Sequence, residues 1–247
     1  MPPLPSRQAR SAGMSRLRDL VANSVSNRLF RAVQVTQVSD RGSFREISLT
    51  SVTSWTPGDK IQVRVAGEGL TMRTYTPVRW ENTTGDTTIL VYLHGAGPGS
   101  AWAQDVTAGD TVQVVGPRRS VDLTRFTSAP IFVGDETSVG LRLAWTAAHP
   151  KLEPVRDIFE LGANSPTALR ALGLKSVHVM REETDRHLPV LVEHVVVAAA
   201  EHHESPLILT GRSTSIAAIR GALKATGHAQ RTTRVRTYWD PRRTGLD

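Results

Sequence analysis

The hydrophobic pattern of this chain changes period once, near residue 119, and that change calls for two kinds of folding unit. Before it, short segments alternate polar and apolar residues, as half-buried strands do. Arg31 to Val38 is the clearest case, and Ser43 to Thr50, Lys60 to Val65, Leu70 to Thr76, Thr87 to Leu93 and Thr111 to Val115 repeat the style. Asp40-Arg41-Gly42, Pro57-Gly58-Asp59 and Gly85-Asp86 are turn-forming separators between them. This spacing predicts an antiparallel six-stranded barrel over residues 28–125. After the change, buried-strand runs at 129–134 and 206–211 and strand-like segments at 155–160, 176–180 and 234–239 alternate with helical stretches. Those stretches are Ser138 to Ala148, Thr167 to Leu172, Pro189 to Ala200 and Ser213 to Ala225. Strand–helix alternation predicts a parallel sheet covered on both faces over residues 126–247. The expected fold class is therefore a β domain followed by an α/β domain.

Composition narrows the chemistry. With 247 residues and 39% apolar content, the chain can bury one large core or two modest ones. It has no run of about eighteen apolar residues and no secretory pattern in residues 1–30. We therefore expect no stable membrane insertion and a cytoplasmic location. Cysteine is absent, which removes disulfides, thiolate-held metals and thiol catalysis. A formal charge of +7 favours anionic partners. Residues 1–27 form a polar arm in which Leu17, Leu20, Val21 and Val25 have the spacing of one short helix.

Two motifs carry chemistry. In Arg73-Thr74-Tyr75-Thr76-Pro77, strand alternation puts Arg73 and Tyr75 on one face. A guanidinium beside a phenol suits a ligand with both phosphate and ring. Thr76 can then bond the ring edge; the plain alternative is an exposed edge strand with two surface side chains. In His94-Gly95-Ala96-Gly97-Pro98-Gly99-Ser100-Ala101-Trp102-Ala103, a glycine-rich turn runs into a helix with Ser100 at the expected N-cap. Free N–H groups and the positive dipole end at such a terminus bind a diphosphate without a lysine. His94 reads as structural rather than catalytic, and no acid–base dyad is needed.

Taken together, Arg-x-Tyr-Thr and His-Gly-x-Gly-Pro-x-Ser-x-Trp-Ala resemble the siderophore-interacting protein family of ferric-siderophore reductases, within the ferredoxin-reductase-like superfamily. The likeness continues through Gly109-Asp110, Gly116-Pro117-Arg118, Gly134-Asp135-Glu136-Thr137, Tyr238-Trp239 and Arg243-Thr244-Gly245. It implies FAD, with Arg73 on the phosphate, Tyr75 on the isoalloxazine and Thr76 at its edge. His94 and Gly95 would line the flavin, and Gly97, Gly99 and Ser100 would hold the pyrophosphate. It also implies NADPH or NADH at the second domain, received by Asp135 and Thr137 at the end of its first strand, with Arg212 toward a phosphate. The family's arginine after Tyr-Thr stands here as Arg79. Its Gly-Glu-Ala/Ser is Gly211-Arg212-Ser213, and its Gly-Tyr-Trp-Arg ending is Thr237-Tyr238-Trp239-Asp240.

The activity implied is transfer of electrons from NAD(P)H to a ferric siderophore, releasing Fe(II). Reduction of another acceptor, such as an oxygenase partner or a quinone, and a non-catalytic anion-binding module are the alternatives. Residues 212–243 carry Arg212, Arg220, Lys224, Arg231, Arg234, Arg236, Arg242 and Arg243 against Asp240 alone. This is either a solvated basic face or a site for an anionic substrate, with Arg234 and Arg236 as its contacts. Trp239 either covers the flavin or closes the core. Aromatics at 5% without basic interleaving argue against nucleic acid. His202-His203 beside Glu201 and Glu204 read as surface histidines, not a metal site.

Overall fold

A computed structural model describes residues 30–50, 52–65, 71–81, 83–228 and 232–243. The expected N-terminal helix, Leu70, Arg231 and Thr244-Gly245 lie outside the described residues. Strands β1 (Arg31–Arg41), β2 (Phe44–Leu49), β3 (Lys60–Arg64), β4 (Met72–Tyr75), β5 (Pro77–Trp80), β6 (Thr87–Tyr92) and β7 (Thr111–Arg118) form one antiparallel sheet. Its order is β4-β3-β7-β1-β2-β6-β5. The strands at its two ends, β4 and β5, are separated in sequence by Thr76 alone, so the sheet curls back on itself. Seven strands stand where the alternation predicts six. The missed strand, β5, opens on Pro77, which donates nothing to a ladder, and buries Pro77 and Val78 consecutively, so the period-2 signal is lost. Val33, Val35, Ile47, Leu49, Ile61, Val63, Ile89 and Val91 fill the sheet's interior.

The second sheet is parallel, with order β10-β9-β8-β11-β12. Its strands are β8 (Ile131–Asp135), β9 (Arg156–Leu161), β10 (Val177–Met180), β11 (Leu207–Arg212) and β12 (Thr233–Trp239). The helices are α1 (Pro98–Asp105), in the first unit, then α2 (Val139–Ala148), α3 (Ser165–Ala171), α4 (Leu188–Glu201) and α5 (Ser213–Ala225). Alternation along the strands explains the two-sided cover. Ile131, Val133, Ile158, Leu207 and Leu209 face α4 and α5. Phe132, Phe159 and Ile208 face the opposite way, toward α2 and α3. The strand order reverses between β8 and β11, and their carboxyl ends frame the crevice typical of such sheets.

One apolar cluster joins the two sheets. Phe44, Val78 and Leu90 of the first pack with Phe132, Phe159, Leu141 and Trp145 of the second. Trp145 is fully buried; its ring meets Phe126 edge-on at 5.5 Å, and its N–H donates to the Leu152 carbonyl at 2.7 Å. Below it, Arg142, buried on the same helix, donates through Nε to both Asp157 oxygens at 2.8 and 3.0 Å. Trp145→Ala should cost about 3–5 kcal/mol. Because the cluster is shared, denaturant titration followed by circular dichroism should show both sheets lost in one shifted transition. Two separated transitions would contradict the shared core.

Candidate functional site

The first cluster forms where β4 meets the start of α1. The helix begins at Pro98, with Gly97 at the N-cap at φ 83°, so Ser100 is not the cap the sequence suggests. Proline fits the first helical position because its ring presets φ and it lacks an N–H that would go unbonded there. Ser100 instead is buried in the first turn, where its Oγ accepts from the Gly95 N–H at 3.2 Å and closes the loop on itself. The helix packs directly on β4. A Cβ on Gly99 would stand 3.0 Å from Arg73 Cγ and 3.1 Å from the Tyr75 hydroxyl. Arg73 and Tyr75 therefore do share a face, and that face is pressed against the helix N-terminus. Arg73 Nη1 donates to the Met72 carbonyl at 2.7 Å, and the Tyr75 ring lies 6.1 Å from Trp102.

Arg45 of β2 steadies the other end of α1, donating through Nη1 to the Ala103 and Gln104 carbonyls at 2.8 and 2.5 Å. Burial pushes the Tyr75 phenol well above its ordinary range against the pull of Arg73, so the hydroxyl keeps its proton. Burial and then Arg73 hold His94 below the usual imidazole value, with Glu136 opposing; its ring sits 5.9 Å from Tyr92.

The second cluster occupies the carboxyl edge of the parallel sheet. Asp135, 1% exposed, accepts from Trp239 Nε1 at 2.7 Å, from the Thr137 N–H at 2.9 Å and from the Thr137 hydroxyl at 2.5 Å. Its carboxylate fits only because residue 211 is glycine, where a Cβ would lie 2.5 Å from Asp135 Oδ2 and φ is +107°. The Arg181 and Arg212 guanidinium carbons lie over the Trp239 ring, 5.4 and 5.6 Å from its centroid. The hydrogen bond to Asp135 anchors the Trp239 indole to the second sheet. Opposite β11, Thr237 pairs with Gly211 and Trp239 with Arg212, leaving Tyr238 as a bulged residue. Its hydroxyl is shielded from water near Thr76, without a well-formed hydrogen bond among the described residues. Burial pushes Tyr238 up to about 12, Thr76 draws it back, and Asp135 adds to it.

Glu160, Arg181 and His187 of this edge were not singled out from the sequence, and Glu136 only as part of Gly134-Asp135-Glu136-Thr137. Glu160 is 1% exposed and central: its Oε1 meets His187 Nε2 at 2.9 Å, Arg212 Nη1 at 3.3 Å and Arg181 Nε at 3.3 Å, while Ser215 donates to Oε2. His187 Nδ1 accepts from the Glu182 N–H at 3.1 Å, which leaves the proton on Nε2 facing Glu160. Glu136 accepts from the Gly162 N–H at 2.5 Å and from Ser165 Oγ at 2.9 Å, and pairs with Arg181. Burial opposes charge on Arg181, yet Glu136, Asp135 and Glu160 together hold its value above the usual one. A carboxylate inside the apolar run Ile158-Phe159-Glu160-Leu161 was the available signal, since a buried charge demands partners.

Arg212, expected toward a ligand phosphate, is buried against Glu160 and Asp185, the latter at 2.5 Å. Arg234 and Arg236 lie exposed on the edge strand β12. Among the described residues no group of acidic or histidine side chains could hold a metal, and His203 pairs at the surface with Glu204 at 3.3 Å.

Residues 40–121 match the family model of the siderophore-interacting FAD-binding domain. No curated protein matches the chain. Among solved structures, the siderophore-interacting protein SipS from Aeromonas hydrophila is 21% identical, with a TM-score of 0.67 over 87% of this chain and 93% of its own. A siderophore utilization protein from T. fusca is 20% identical, at 0.66 over 88% and 95%. Ferredoxin-NADP+ reductase from Plasmodium falciparum is 10% identical, at 0.64 over 84% and 95%. At these identities the likeness shows the fold, which is ferredoxin-reductase-like, and the family match supports a flavin-dependent oxidoreductase. Among the described residues no helix is long and apolar enough to cross a membrane.

The residues present fit FAD. A Cβ on Gly95 would meet nothing within 4 Å, and one on Gly97 would meet only His94 Cε1 at 3.7 Å. Open space thus lies before a helix N-terminus that has a cation and a phenol alongside, the donor set a diphosphate-bearing ring needs.

Burial and then Glu136 raise the Asp135 carboxyl to about 6, against the donors Thr137 and Trp239. The native group is the weaker acid, so folding takes up a proton between the ordinary carboxylate range and about pH 6. Its contribution to stability accordingly falls as pH rises through that window. Carbon-detected NMR should place the Asp135 midpoint near 6, and Trp239→Phe, which removes a donor to the charged form, should move it higher. A midpoint that stays or falls would contradict the hydrogen bond.

Proposed function

We propose that this chain is an FAD-dependent oxidoreductase that passes electrons from NADH or NADPH to a ferric siderophore in the cytoplasm. The observation that carries the reading is the contact of Gly99 with Arg73 and Tyr75, which converges helix terminus, cation and phenol on one spot. Arg73 would hold the FAD phosphate, aided by the N–H groups at Gly97, Gly99 and Ser100. Tyr75 would pack on the isoalloxazine, Thr76 would meet its edge, and His94 and Gly95 would line it. When bound, FAD supplies the exchange between a two-electron hydride donor and the one-electron steps that iron requires.

The remaining roles belong to the chain. The nicotinamide donor would approach the carboxyl ends of β8 and β11, beside Asp135 and Thr137, where open α/β sheets receive nucleotides. Trp239 and Tyr238 lie next to that path, so they would shape the space between donor and flavin. Arg212, neutralised by Glu160 and Asp185, would order this edge while touching the nucleotide only through Trp239. Arg234 and Arg236 would concentrate an anionic ferric chelate by their positive field.

The test begins with the visible spectrum of the purified protein after loading with FAD and removing the excess. Retained flavin bands are expected, followed by bleaching with NADH or NADPH under anaerobic conditions and recovery on adding a ferric siderophore. A colourless protein overturns the cofactor; flavin reoxidised by quinones yet not by ferric chelates overturns the acceptor. Arg73→Gln should weaken FAD about ten- to a hundredfold, the loss of a charged hydrogen bond, with the melting temperature of the FAD-free protein nearly unchanged. Gly99→Ala should weaken FAD as well, because its methyl group must push Arg73 and Tyr75 aside; unchanged FAD affinity in both variants would refute the assignment.

A further inference from the structure

A second concave site lies away from these clusters, between β5 and the carboxyl-terminal half of α2. It is a groove of about 420 Å³, within the range of small-molecule sites. Its lining runs along β5 from Val78 to Trp80, and Trp80 lies four residues beyond Thr76, about 13 Å at the strand rise. One wall is aromatic: the Trp55 and Trp80 rings lie 6.4 Å apart at 47°. The facing wall is the small-residue surface of α2, with Ala144 and Ala147. Such a slot has the shape of a flat ring.

Its polar groups select among flat rings. The Trp55 N–H is used, donating to Thr87 Oγ1 at 3.0 Å. The Trp80 N–H is shielded from water and has no acceptor among the described residues. An unsatisfied buried donor of this kind is costly, and a ligand oxygen that accepts from it removes that cost. Arg79 adds a second donor at the mouth, whereas Glu81 and Asp86 line the same groove. With two carboxylates against one guanidinium, an anionic ligand is disfavoured.

We propose that this groove binds a planar, uncharged ring carrying a carbonyl oxygen, packed against the Trp55–Trp80 wall with the carbonyl toward the Trp80 N–H and Arg79. The site is independent of the FAD site and of the activity proposed for it. The absence of cysteine makes quinones usable as probes, because no thiol is available to add to them.

The experiment is a titration of the ¹⁵N-labelled full chain with 1,4-naphthoquinone, reading the indole N–H signals. The Trp80 signal is identified by its loss in Trp80→Phe. Saturable shifts of both Trp55 and Trp80 are expected, with Trp80 moving downfield as its N–H gains an acceptor. Naphthalene, of the same shape without carbonyls, and 1-naphthoate, an anion, should each bind at least tenfold more weakly. Ala147→Leu, at an exposed helical position, should fill the slot and weaken naphthoquinone at least tenfold while leaving the other indole signals in place. No shift at Trp80, equal affinity for naphthalene or naphthoate, or undiminished binding to Ala147→Leu would each overturn the proposal.

Discussion

The packing of α2 on β5 sets the geometry on which both clusters depend. At Gly140 there is room for little more than a methyl group: a Cβ there would lie 3.4 Å from the Thr76 carbonyl and 4.0 Å from Val78 Cγ2. That approach seats Val78 in the apolar cluster with Trp145, Phe132 and Phe159, and so locks one sheet against the other. Close-packed cores transmit such constraints because they have few soft directions. Thr76, at the end of the Arg73–Tyr75 strand, is thereby placed beside the carboxyl edge of the parallel sheet, next to the bulged Tyr238. Two elements from opposite ends of the chain come to share one edge.

Charge is organised on a different principle from apolar packing. Asp135, Glu136 and Glu160 are all essentially buried, and each would be costly alone. Arg181 and Arg212 compensate them, and His187, Ser165, Ser215 and Trp239 supply the remaining donors. Removing one member strands the others, at about 3–5 kcal/mol for a buried pair. The edge is therefore rigid before any ligand arrives, which is what preorganised sites require. It also explains why an arginine at position 212 is compatible with burial: the acids Glu160 and Asp185 both pair with its Nη1.

Much of the scaffold was legible in the residues. The parallel strands and their helices follow the strand–helix alternation closely, and α5 spans Ser213–Ala225 as expected. The Arg73–Tyr75 face and the helix after Gly97 were also readable, because strand alternation and helix-start chemistry are local. The start of α1 shifted to Pro98, since proline's fit to the first helical position outweighed a serine two residues on. Strand β5 escaped because Pro77 and Val78 are buried in succession, a pattern imposed by α2 from the other unit. For Arg212 the local reading, a cation at a strand end awaiting a phosphate, missed the two acids that already hold it.

What the sequence by itself determined is what short-range physics dictates: the periods of strands and helices, the turn and cap residues, and the chemical vocabulary of the two motifs. The tertiary structure alone decided which of those groups meet. Glu160, Arg181 and His187 are separated by up to 27 residues, and Asp135 and Trp239 by 104. Their contacts come from strand order and the close fit at Gly140 and Gly211. Side-chain partners across a sheet edge depend on where whole elements are seated, and that is settled by the shared core, not by any local pattern of residues.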